Sequence, residues 1–306
     1  MENSNINFSK VCGLCAGCKR AVDTAIESTK KHENVTLFKQ IVHNKNVNDR
    51  LTQLGIKIKD DINDISQDDF VILRAHGEPP ETYRILNSKN IQFADCTCVN
   101  VKKIHDIARK ESALGKTIIL LGKYGKHTGK MHPEVAGILG NISSRPILIE
   151  DEEDLEKLTT SFDEKFALIC QTTFNGKLAD KIIEKAKHIT KVNGATLDVF
   201  RTICLAQQNI NKFSEELAKS SDIIIVVGGK NSSNSIELFE NVKKITKSIF
   251  IEDINYWETE LKKNNIPFDK STRFGITAGA STMQDELIAL KKLIEQTLGE
   301  TNENKN

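Results

Sequence analysis

What this 306-residue chain lacks excludes several classes of function. It has no long apolar run. The longest, such as Ile223–Val227 and Ile118–Leu121, fall far short of the about 20 residues that cross a bilayer. It has no excess of either charge: 43 basic against 42 acidic side chains leave a formal net charge of +1, with no dense basic tract. No nucleic-acid partner and no membrane partner are therefore expected. The N-terminal MENSNINFSK lacks the apolar core of a signal peptide, so a cytoplasmic location is expected. A phosphate-binding G-x-x-x-x-G-K-[ST] loop is also missing; Gly122 to Lys130 is rich in Gly and Lys but does not match it.

What is present reads as an α/β protein. Short apolar runs look like buried parallel strands: Val35–Phe38, Phe70–Leu73, Thr117–Leu121, Pro146–Ile149, Phe166–Ile169, Ile223–Val227, Ile249–Ile251 and Phe274–Ile276. Helical stripes lie between them, among them Ala21/Val22/Ala25/Ile26, Ile104/Ile107/Ala108, Ile210/Phe213/Leu217 and Leu287/Leu290/Ile294. Strands alternating with helices imply βαβ units and mainly parallel sheets. Polar loops follow five of the strands: RAHGEP, GKYGKHTGKMHPEV, QTTFNG, GGKNSSNS and TAGAS. Ligands of open parallel sheets bind beyond the carboxyl ends of strands, so one shared site is expected. The tail 299–306 is expected to fray.

Seven cysteines in a reducing compartment do not imply disulfides; metal binding, catalysis or burial must explain them. CGLCAGC, from Cys12 to Cys18, has the C-x2-C-x2-C spacing of half a ferredoxin motif. It lacks the following C-x3-C-P and any second copy. A second reading takes one cysteine from each of three similar segments, CAGCKRAVDTAI, CVNVKKIHDIA and CLAQQNINKFS. Cys15, Cys98 and Cys204 then each stand at a helix start, where backbone N–H groups favour thiolates. Three ligands on a four-iron cubane leave one iron open to a substrate oxygen. The bland reading is a buried small hydrophobe, and Cys170 is assigned to it. Cys12, Cys18 and Cys96 are read as packing residues or secondary thiols.

Three of the seven histidines sit in short polar motifs: His43, His76 and His132. His32, His105, His188 and His127 read as surface or structural residues. Lys230 to Ser235, KNSSNS, precedes a helix and suits an anion, although capping accounts for any single Ser or Asn there. Ser281 adds a hydroxyl. Glu134 is the best proton donor, against the bland readings of helix-start stabilisation and a solvated surface position, and Thr172 and Thr173 follow a strand.

These motifs identify a family. GLCAGCKRA, QIVHNKNV, AHG, DCTC, HPEVAG, QTTF, ICLA, VVGGKNSSNS and TAGAS resemble, in that order, the LytB/IspH family of 4-hydroxy-3-methylbut-2-enyl diphosphate reductases, from about Val11 to about Leu298. The resemblance implies three similar α/β lobes with mainly parallel sheets, arranged in a trefoil around a central iron–sulfur cluster. The lobes are expected at 1–98, 99–200 and 201–306. It implies one 4Fe–4S cluster held by Cys15, Cys98 and Cys204, with one open iron. His43, His76, Ser232, Ser233, Asn234 and Ser281 fall on the diphosphate pocket. His132, Glu134 and Thr172 fall on proton-delivery and substrate-orienting positions, beside Thr173. The implied substrate is a small allylic diphosphate, and the implied electron donor is of ferredoxin or flavodoxin type. The chain departs from the family pattern at Val99, where Pro is usual, at Cys96, in the basic segment holding Lys123, Lys126 and Lys130, and at 206–211.

Overall fold

Runs of Ile, Val and Leu favour strands because β-branched side chains fit a pleated surface, and unbroken apolar runs suit strands covered on both faces. A computed structural model describes residues 5–42, 44–158, 164–230 and 232–300, and every strand pairing in it is parallel. Within those residues the chain divides into two units.

One unit is drawn from Met1–Ile26, Gln40–Ile56 and Leu205–Asn306. Its sheet holds β1 (Ile6–Phe8), β10 (Ile223–Val227), β11 (Lys247–Ile251) and β12 (Phe274–Ala278), in the order β1-β12-β10-β11. Helices α1 (Ala16–Ser28, its last two residues in the other unit), α2 (Lys45–Gln53), α7 (Leu205–Ser220), α8 (Ser233–Lys243), α9 (Trp257–Lys263) and α10 (Gln284–Glu300) accompany it. Every residue of β10 is buried, and a fully buried Ile or Val side chain contributes about 1.5–3 kcal/mol.

The other unit, Glu27–Lys39 with Lys57–Cys204, holds two sheets. The first comprises β2 (Val35–Phe38), β3 (Lys57–Lys59), β4 (Phe70–Leu73) and β5 (Phe93–Asp95), in the order β3-β2-β4-β5. The second comprises β6 (Thr117–Leu121), β7 (Ile147–Ile149), β8 (Lys165–Cys170) and β9 (Thr196–Phe200), in the order β7-β6-β8-β9. Helices α3 (Pro80–Ser88), α4 (Val99–Ala113), α5 (Pro133–Leu139) and α6 (Gly176–Val192) belong here.

The three sheets share one topology. When β10, β11, β12 and β1 are taken in turn, each sheet runs second, first, third, fourth. The fourth place is held by β5, by β9 and, from the opposite end of the chain, by β1. Strand order reverses between β2 and β4, between β6 and β8, and between β10 and β12. Such reversals open a crevice beyond the carboxyl ends, where ligands of α/β sheets bind. The expected three α/β lobes with parallel sheets are thus present. The expectation omitted β1, β3, β5 and β9, all of them edge strands. The tail differs as well: Gly299 and Glu300 still belong to α10, and 301–306 lie outside the described residues. No helix among the described residues is long and apolar enough to cross a membrane.

Candidate active site

Each cysteine singled out by its helix-start context follows a fourth strand. Cys15 comes after β1 and before α1, Cys98 after β5 and before α4, Cys204 after β9 and before α7. All three are half-buried, whereas Cys96 and Cys170 are buried. Cys170 packs in the core of the β6–β9 sheet, and burial pushes its thiol up to about 12. Cys12 packs against the core of its own unit and donates to Ser9 O; burial takes it up to about 11. Cys15 goes the other way. A hydrogen bond from Cys18 lowers it to about 6 against the opposing effect of burial.

In the two-sheet unit the predicted residues form one connected group. The Cys98 N–H donates to Ala75 O at 3.0 Å, which sets this cysteine beside His76. Gly77, at φ +75°, makes the turn after His76; a Cβ there would meet His105 Cε1 at 2.7 Å. The rings of His76 and His132 lie edge to face at 5.4 Å. His132 caps α5, its Nδ1 accepting the Glu134 N–H at 3.2 Å, so a neutral ring carries its proton on Nε2. Glu134 is only 1% exposed. Its carboxylate accepts the Thr172 N–H and the Thr172 hydroxyl, both at 2.6 Å. Burial raises this carboxyl to about 7, despite the two bonds from Thr172 that oppose the rise. The Cys204 N–H then donates to Thr172 O at 2.8 Å, and Asn100 Nδ2 donates to Cys204 Sγ at 3.3 Å. Glu134 and Thr172 therefore meet where β6 and β8 reverse the strand order. Burial removes the reading of Glu134 as a solvated surface residue, while its place in the first turn of α5 remains.

Gln171, fully buried, donates to the Thr173 hydroxyl at 2.8 Å and accepts the Lys123 N–H, so it places Thr173 and anchors the loop leading to His132. Lys126, in that same basic loop, is committed to Asp151, Glu153 and Asp154.

In the other unit the loop after β12 lies against the Cys15 segment. Leu14 N–H donates to Thr282 O at 2.8 Å and Cys15 N–H to Ala280 O at 3.4 Å. Ser281 is buried, and its Oγ has no hydrogen-bond partner among the described residues. Ser232 caps α8, accepting from the Ser235 N–H and hydroxyl, so part of its role is the capping that any serine there would supply. Asn234 is half-buried in the first turn of α8. His43 and the side chain of Ser233 lie outside the described residues. Among the described residues, no three His, Cys, Asp or Glu side chains are gathered as ligands of a single bare metal ion.

Sequence reasoning missed two residues. Asn100 was masked by its place on an exposed helix turn. Gln171 stood inside a motif valued for its threonines. For His105, the structural one of the two expected readings holds. It is buried, with Nε2 lacking a hydrogen-bond partner among the described residues, and burial lowers it to about 4.

The class defined here is a three-sheet parallel α/β protein that places thiols, hydroxyls and one buried, near-neutral carboxyl beyond its strand ends. The model of the LytB protein family matches residues 6–295, and the chain belongs to that family. It is 32% identical to the 4-hydroxy-3-methylbut-2-enyl diphosphate reductase of Clostridioides difficile, over 91% of this chain and 94% of that protein. The Clostridium acetobutylicum protein of the same name is 33% identical over 97% of this chain, which spans only 44% of that relative's length. Among solved structures, (E)-4-hydroxy-3-methyl-but-2-enyl diphosphate reductase, described as the terminal enzyme of the non-mevalonate pathway, aligns with a TM-score of 0.74 at 29% identity. It covers 95% of this chain and 99% of that one. The Plasmodium falciparum E-1-hydroxy-2-methyl-but-2-enyl-4-diphosphate reductase aligns with a TM-score of 0.78 at 25% identity, covering 94% of this chain and 87% of its own.

Proposed function

We propose that this chain is an iron–sulfur reductase. It removes the hydroxyl of 4-hydroxy-3-methylbut-2-enyl diphosphate to give isopentenyl and dimethylallyl diphosphate, the last step of the methylerythritol phosphate route. The observation that carries this reading is Glu134, a fully buried carboxyl raised to about 7, in one hydrogen-bonded group with Thr172 and Cys204. Cys15, Cys98 and Cys204 are assigned as ligands of one 4Fe–4S cluster. The donor set fits: three half-buried thiols at matching places in three sheets, one already below the usual thiol range and one facing an amide donor. When bound, such a cluster supplies one-electron chemistry and, at the iron that no cysteine holds, a Lewis-acid position for the substrate hydroxyl.

The chain's own residues do the rest. His43, His76, Ser232, Ser233, Asn234 and Ser281 hold the diphosphate, whose oxygens need several donors at once. Reductive loss of the hydroxyl consumes two electrons and two protons, releases water and leaves a C–H bond at one end of the allyl system. Glu134 holds and delivers protons; a pKa near the working pH lets it do both. The Thr172 hydroxyl donates to the ionised carboxylate and accepts from the protonated acid, so the pair stays aligned in either state. His132, with its proton on Nε2, and Thr173 orient the substrate. Electrons come from a ferredoxin- or flavodoxin-type donor in the cytoplasm.

The test is anaerobic reconstitution with iron and sulfide, followed by turnover with the hydroxylated diphosphate and a low-potential reductant. Both isomeric products are expected. A cluster-bearing protein that leaves the hydroxyl in place would overturn the proposal.

A further inference from the structure

We propose that Asn100 tunes the reduction potential of the cluster through its hydrogen bond to the Cys204 sulfur, which makes it a positioning and tuning residue outside the substrate pocket. The inference rests on the ligand assignment above. Asn100 stands two residues after Cys98, in the first turn of α4, and its Nδ2 lies 3.3 Å from Cys204 Sγ. One exposed side chain thus ties the helix that Cys98 caps to the sulfur of a second ligand.

The direction of the bond follows from chemistry. A ligating sulfur is a thiolate without a proton, so it can only accept, and the amide must present its NH2 group. The side-chain amide is particular to this sulfur, since the Cys15 thiol is bonded instead by Cys18. The positions two residues beyond Cys15 and Cys204 are Gly17 and Ala206, neither of which has a side-chain donor. Each one-electron reduction adds one negative charge, shared between the irons and their sulfurs. A donor aimed at a ligand sulfur stabilises the more negative state and raises the potential. No bond to Asn100 forms or breaks, and the electron comes from the external reductant.

Two substitutions isolate the effect. Asn100→Leu keeps the size and removes the donor. Asn100→Asp keeps the shape and replaces the donor with an anionic oxygen facing the sulfur. An acidic residue in the first turn of a helix is favourable for the helix itself, so unfolding does not explain its result. Wild type and both variants are reconstituted anaerobically, their iron content is matched, and midpoint potentials are measured by dithionite titration of the visible and paramagnetic signals. The potential is expected to fall from wild type to Asn100→Leu and further in Asn100→Asp. The first step should be about a tenfold loss in the reduction equilibrium, about 59 mV for one electron. Equal potentials at equal cluster content overturn the role of Asn100 and leave the ligand assignment standing. Failure of the wild-type chain to hold any cluster overturns both.

Discussion

Glu134, the proton carrier of the proposed mechanism, is a buried carboxyl, and its burial fixes how stability responds to pH. A carboxyl whose folded pKa lies above its unfolded value binds its proton more tightly when folded. Its stabilising contribution is therefore complete below the ordinary carboxyl pKa of 4.5 and is lost as pH rises through about 7. The span corresponds to roughly 3 kcal/mol. Glu134→Gln keeps both partners: the amide oxygen accepts the Thr172 N–H and the NH2 donates to the Thr172 hydroxyl. The variant should melt higher than wild type at pH 8 and no higher at pH 5. Its turnover should fall by about a hundred- to ten-thousandfold, as loss of a general acid predicts. Calorimetry at both pH values beside steady-state rates on the same preparation checks this, and near-normal turnover would move the proton-delivery role elsewhere.

The cysteines divide in a second residue-scale prediction. Cys15→Ser, Cys98→Ser and Cys204→Ser should each lose reconstituted iron, whereas Cys170→Ser, deep in the core, should lose stability and keep its iron. A normal iron count in Cys204→Ser would refute the three-ligand assignment. These cysteines were legible in the sequence because a thiol at a helix start leaves a local mark. Asn100 was not legible, because its contact is made across 104 residues and nothing near it in the chain announces a sulfur.

At the scale of elements, helix α8 shows how tightly the KNSSNS segment is seated. A Cβ on Gly279 would lie 2.1 Å from Ser235 Oγ, and one on Gly228 would lie 2.5 Å from it. The helix therefore approaches the ends of β10 and β12 only because both positions are glycine. Gly279→Ala should destabilise by about 1–3 kcal/mol, the usual range for overpacking. Adding Ser235→Ala should recover part of the loss by removing the closest atom. Urea midpoints of the single and double variants measure both; equal midpoints for Gly279→Ala and wild type would show that the helix slides without strain.

The four strands that the sequence reading omitted, β1, β3, β5 and β9, are all at sheet edges. None of INF, KIK, FAD and TLDVF is an unbroken apolar run. An edge strand is flanked on one side only and need not be apolar throughout, so these four left no such run. The interior strands, and the edge strands β7 and β11 with their apolar ILI and IFI, announced themselves by the opposite property. The cost of the omission was positional: three of the four missed strands are those from which Cys15, Cys98 and Cys204 emerge. The reading thus found the cysteines and missed the reason for their equivalence.

At the scale of the whole molecule, the sheet of the discontinuous unit joins strands far apart in the sequence. Ile6 pairs with Phe274 and Phe8 with Ile276, and Ser9 continues the ladder to Ile276 O. Ile6 is 3% exposed, so Ile6→Ala should destabilise by about 2–5 kcal/mol. Because Gly13 and Cys15 hang from the same β12 loop, the variant should also lose iron on dilution faster than wild type. Unchanged iron retention in a clearly destabilised Ile6→Ala would show that the Cys15 loop holds independently of β1.

That pairing also sets a schedule for biosynthesis. Strand β1 leaves the ribosome well before its partner β12: Phe274, the partner of Ile6, follows it by 268 residues. At about 5–20 residues per second, the delay is roughly ten seconds to a minute. Through that interval the Cys15 thiol has neither its β12 loop nor its sheet, and it is open to oxidants. Under the proposed ligand assignment, iron and sulfide delivered during translation would meet an incomplete set of ligands, so loading is expected only after β12 has been made.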